Sequence, residues 1–148
     1  MEIRDQILKT LKGGNAFDTP QQLFDEIPVE GRFTVPEGME RSAWQIVEHM
    51  RLTLEDLTSY SSNWDGSYKE KPWPEGYWPK ETAGDWDASV QKFFTAQQAL
   101  EDLAAKGDLT APFPWAKDHT LLREILLAVE HTAYHCGELV ELARALRA

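Results

Sequence analysis

Residues 118–147 read DHTLLREILLAVEHTAYHCGELVELARALR, and this stretch decides the fold. Leu121, Ile125, Ala128, Leu139 and Leu146 recur on one face of a helical period. Asp118 or Thr120 can cap its start, and at 1.5 Å per residue the helix spans roughly 45 Å. Working outward, 85–106 carries a second stripe of this kind: Val90, Phe93, Phe94, Gln97, Leu100, Leu103 and Ala104, with Gly107 placed to end it. Segment 42–60 opens on a capping box, Ser42 with Gln45, and continues through Ile46, Met50, Leu54 and Leu57. Segment 2–12 places Ile3, Ile7, Leu8 and Leu11 on one face before Gly13 and Gly14. A further turn at 20–27, capped by Thr19 with Pro20 at the first helical position, extends this region through 27. No segment alternates with period two for long enough to make a convincing strand, although Arg32 to Val35 can be extended ahead of Pro36. The expectation is an all-α four-helix bundle forming one domain over 1–148.

The connections carry information too. Residues 61–84, SSNWDGSYKEKPWPEGYWPKETAG, form a long loop holding Trp64, Tyr68, Trp73, Tyr77 and Trp78. That is too aromatic for a disordered linker. Residues 107–117, GDLTAPFPWAK, make a shorter one with Phe113 and Trp115. Connections of this length can cross over a bundle, so neighbouring helices need not alternate up and down. The aromatic loops either cap the end of the core or shape a binding pocket, and the two roles are compatible.

Chemistry concentrates on the last helix. His131 and His135 are four apart, a net rotation of about 40°, so both imidazoles lie on one face a turn apart and can reach one metal ion. His49 lies beside the apolar position Met50 in a strongly patterned helix and is the better third ligand. His119, beside a helix cap, is expected in solvent. Three imidazoles leave a fourth position open, as in catalytic zinc sites. Zinc, nickel, copper or ferrous iron all suit such a donor set. A protease-type zinc helix is excluded, because Thr132 stands where Glu would follow the first His. A di-iron carboxylate site is excluded as well, because Ile46, Ala128 and Thr132 precede the histidines by three. Histidines at this spacing also occur as plain core or surface residues, but burying two without partners costs about 1–3 kcal/mol each. Cys136 points away from His135 and reads as core packing. Glu138, a turn after His135, reads as a solvated acid or as a residue that orients a ligand or serves as a base.

Composition removes other classes. Fifteen Lys and Arg face 25 Asp and Glu, a net charge of −10 that repels phosphate backbones, so no nucleic-acid partner is expected. One cysteine excludes an internal disulfide framework and fits a reducing cytosol. No stretch approaches the roughly 20 apolar residues of a membrane span, and the first residues, MEIRDQILKTLKGG, are not a secretory signal. A cytoplasmic location follows as the expectation.

The pairing of WQIVEHM, around His49, with EHTAYHCGELVELARAL, around His131 and His135, resembles the DinB-like superfamily. Its hallmark is a His in the second helix and His-x-x-x-His followed by Gly-Gln or Gly-Glu in the fourth, here Gly137 and Glu138. WPEGYWP, residues 73–79, looks like a feature of one branch. The resemblance covers essentially the whole chain. It implies a four-helix bundle with long crossovers, a three-histidine metal site and a homodimer. It also implies an enzyme of thiol S-transferase or hydrolase type acting on a small molecule, with a low-molecular-weight thiol as the partner substrate. The competing reading is a metal-stabilised binding or interaction module without turnover.

Overall fold

The computed structural model describes residues 1–148. Five helices dominate it: α1 (Ile3–Lys12), α2 (Pro20–Asp25), α3 (Ala43–Ser61), α4 (Trp86–Lys106) and α5 (Leu121–Arg147). Single 3-10 turns occur at Val29–Gly31 and Glu75–Tyr77. The helix starts follow local chemistry. Thr19 and Ser42 each complete a capping box, with Gln22 and Gln45 respectively. Asp85 accepts from the Ala88 amide to start α4, and Thr120 accepts from the Arg123 amide to start α5.

Two expectations need correction. The last helix begins at Leu121 rather than 118, because Ala116–Thr120 form a strand, β2, paired antiparallel with β1, Pro112–Phe113. A two-residue strand is too short to display period two, and its partner carries no apolar alternation for the sequence to reveal. Arg32 and Phe33 lie in a turn, with the Thr34 amide donating to the Gly31 carbonyl at 3.1 Å, so no strand forms before Pro36.

Specific contacts orient the helices. Trp44 Nε1 donates to Ser89 Oγ at 3.0 Å near the starts of α3 and α4, and Thr58 donates to the Ala96 carbonyl at 3.4 Å farther along both. α3 and α4 are therefore parallel, and residues 62–85 must travel back along α3 to connect them. Gly84 ends that crossover against the Trp44 indole, where a Cβ would collide with the ring. α5 runs the other way. Its first turns lie at the end of α3, where Tyr60 meets His119, and its last turn meets Gly31, where an added Cβ would come within 2.9 Å of Leu146. α1 is antiparallel to α4: Gln97 donates to the Leu11 carbonyl at 2.7 Å, and Arg4 donates to the carbonyls of Ala104 and Gly107.

One apolar cluster lies between these helices. It holds Phe93, fully buried and edge-on to Phe24 at 5.2 Å, together with Ile46, Met50, Leu100, Ile125 and Leu142. No helix is long and apolar enough to cross a membrane.

Candidate metal centre

α3 carries His49 on its inner face, 4% exposed, and α5 carries His131 and His135 one turn apart. Antiparallel packing of α3 on α5 brings the three together. Ring centroids are 4.7 Å apart for His49–His131 and for His49–His135, and 4.5 Å for His131–His135. One nitrogen from each ring lies within 4.8 Å of the other two.

The outer nitrogens have partners. His49 Nδ1 lies 2.7 Å from the Tyr77 carbonyl, which only accepts, so this nitrogen carries the proton. His135 Nδ1 lies 2.8 Å from Glu138 Oε2 and donates to it. Both rings then present an Nε2 lone pair to the cluster. His131 Nε2 approaches His49 Nε2 to 2.9 Å. Two nitrogen lone pairs at that separation repel unless a proton or a cation lies between them. Burial holds His49 below the ordinary histidine range despite the Tyr77 bond, and burial first, then His135 and His49, pushes His131 down to about 3. Neutral imidazoles, two of them with tautomers fixed from outside, form a donor set that fits a divalent ion of the zinc type.

The crossover shapes the approach. The Trp78 ring stacks on His49 at 3.8 Å with an interplanar angle of 3°. Tyr68 and Tyr77 hydroxyls both donate to Asp56 at 3.1 Å, which fastens the crossover to α3. An open cavity of about 610 Å³ lies over the histidines, and Arg41, Trp73, Trp78 and Tyr134 help to line it. The aromatic loop is thus both a cap on the bundle and a wall of the cavity.

His119 stands differently from expectation, Cys136 and Glu138 follow one of their readings, and other residues were not legible. His119 is half-buried rather than free in solvent: the hairpin folds onto the end of α3, where the Tyr60 hydroxyl lies 2.7 Å from His119 Nδ1 and Glu124 lies 3.4 Å away. It is remote from the cluster. Cys136 is fully buried and burial pushes its thiol up to about 12, so it packs and neither ligates nor attacks. Glu138 is engaged with His135 rather than simply solvated. The Tyr77 carbonyl had no side-chain signature to find. Trp78 was visible as one aromatic among several, and Arg41 carried no signal at all.

A family model described as the DinB superfamily matches residues 16–139, which takes in all three histidines. No curated protein and no solved structure matches the chain. With a family match over most of its length, a helical bundle with one long crossover and histidines meeting from α3 and α5, the chain belongs to the DinB superfamily.

Proposed function

We propose that the protein is a metal-dependent enzyme of thiol S-transferase or hydrolase type, with His49, His131 and His135 as ligands of one divalent ion. The observation that carries this reading is the convergence of three ring nitrogens within 4.8 Å, two of them aimed by hydrogen bonds from the far side of their rings. When bound, such an ion lowers the pKa of a water or thiol and polarises a carbonyl.

The chain's own residues do the rest. Tyr77 and Glu138 hold His49 and His135 in the ligating tautomer. Trp78 keeps the His49 ring in plane and covers it from solvent. Trp73 and Tyr134 wall the cavity in which a small substrate lies against the open coordination position. Glu138 is better suited to positioning His135 than to accepting a substrate proton, since His135 already occupies one of its oxygens. An open position favours turnover over a purely structural ion, because structural zinc sites close with four protein ligands. A low-molecular-weight thiol as co-substrate, a homodimeric assembly and a cytoplasmic setting complete the proposal.

Metal content tests it. After reconstitution the parent and His119→Ala should retain one ion per chain, while His49→Ala and His131→Ala should lose most of it. Cobalt-substituted protein should change its visible absorption on addition of azide or imidazole. Equal metal in all four proteins, or none in the parent, refutes the site. A cobalt spectrum indifferent to added ligand turns the reading to a structural ion.

A further inference from the structure

The stack that begins at His49 ends on a cation. The Arg41 guanidinium carbon lies 4.8 Å from the centroid of the Trp78 ring, and Arg41 lines the same cavity as the three histidines. Arg51, Arg123 and Arg144 pair with carboxylates, whereas Arg4, Arg32 and Arg147 do not; Arg41 is the arginine that lines the cavity. Arg41 makes one bond of 3.3 Å, to the backbone carbonyl of its neighbour Glu40, and no ion pair. That the one arginine lining the histidine cavity has no carboxylate partner calls for a reason.

The charges around it supply one. Three neutral imidazoles would bring no negative charge of their own to a divalent ion, so such an ion would favour an anionic ligand at its open position. Two carboxylates line it. Glu138 is engaged by His135, and Glu40 is exposed and makes no ion pair with Arg41. The cavity thus holds the Arg41 guanidinium against the Trp78 ring, 4.8 Å from its centroid, beside the three histidines. A guanidinium held in this way keeps its N–H edge available and is preorganised for two-point recognition of a planar anion. An ammonium in its place would lack the fork and the stacking.

We infer that Arg41 is a specificity-determining residue, receiving a carboxylate on the substrate whose other end meets the ion. This rests on the metal-site reading above. It adds the substrate class: small molecules bearing a carboxylate, with the reacting thiol or carbonyl at the far end. Trp78 then serves twice, bracing His49 and presenting Arg41.

Cobalt-substituted protein tests the assignment through thiolate-to-cobalt absorption, titrated with mercaptopropionate and with mercaptopropanol, a matched pair of equal chain length. The parent should bind the carboxylate thiol tighter by about tenfold or more. Arg41→Gln should abolish that preference while leaving the alcohol thiol's affinity unchanged, and Arg41→Lys should keep part of it. The unchanged alcohol titration reports that the site is intact in each variant. Equal affinities in the parent, or a preference that survives Arg41→Gln, overturns the assignment and leaves the metal site standing. Loss of both thiols from Arg41→Gln overturns it too, by showing Arg41 to be structural. A parent that takes up no cobalt fails at the earlier step and removes both readings together.

Discussion

His131 is the residue on which the proposed site turns, because it is the one histidine of the three whose ring has no partner beyond the cluster. Burial and its two neighbours push its imidazole down to about 3, far below the 6.5 of an unfolded chain. Between those values the unfolded chain binds a proton that the folded one refuses, so stability falls as pH drops from about 6.5 towards 3. His49, also lowered, contributes with the same sign. In chelator-treated protein the thermal midpoint should fall between pH 7 and pH 5, and His131→Gln should flatten that slope. A parallel slope in the variant would show that other groups set it. Glu138 offers a second residue-scale test. It accepts from His135 Nδ1 at 2.8 Å, and losing such an outer partner weakens metal binding by about 10–100-fold. Glu138→Ala should show that loss in a competition titration with a chromophoric chelator. An unaltered affinity would mean that solvent orients His135 as well as the carboxylate does.

Among the elements, α3 carries the most consequence per residue. Its inner face holds His49 among core residues Ile46, Met50 and Leu54, and its start is fixed by Ser42, which is fully buried. The Ser42 hydroxyl accepts from the Gln45 amide at 3.3 Å, and the Gln45 side chain accepts from the Ser42 amide at 3.0 Å. Ser42→Ala removes one half of this box and should cost about 1 kcal/mol. In a chain of this length that lowers the thermal midpoint by about 3 °C. Because His49 sits two turns into the helix, fraying at Ser42 should also reach it, and any metal affinity should fall with stability. A midpoint unchanged by the substitution would show that packing alone fixes the helix start. The crossover belongs to this scale as well. It is held by Asp56 through two tyrosine hydroxyls and returns to α3 at Trp44, so a loop of irregular backbone acts as a fifth wall of the bundle.

At the scale of the molecule, α5 exposes Leu126 at 55% and Leu127 at 39%, outside the histidine cavity. Ile3 on α1 is 72% exposed. Burying such a surface against a second copy is favourable at about 25 cal/mol per Å². Sedimentation at micromolar concentration should therefore give about twice the chain mass of 16.9 kDa, and the mass of one chain would end the dimer reading. The helices themselves could be read from the chain alone. Ser42 with Gln45, Asp85, and the apolar stripes of α3, α4 and α5 are short-range patterns, and local hydrogen bonding and a 3.6-residue period write them directly into the order of residues. The His131–His135 pair is legible for the same reason, since one helical turn is a local distance. Tertiary structure alone decided the rest. That α3 and α4 run parallel, that Tyr77 offers its carbonyl to His49, that Trp78 stacks there and sets Arg41 at the rim, and that His119 leaves solvent for Tyr60 all depend on contacts between residues far apart in the chain. Backbone acceptors look alike in every sequence, and a two-residue strand has no period, so only the packing of the crossover and the hairpin against the helices could choose among their alternatives.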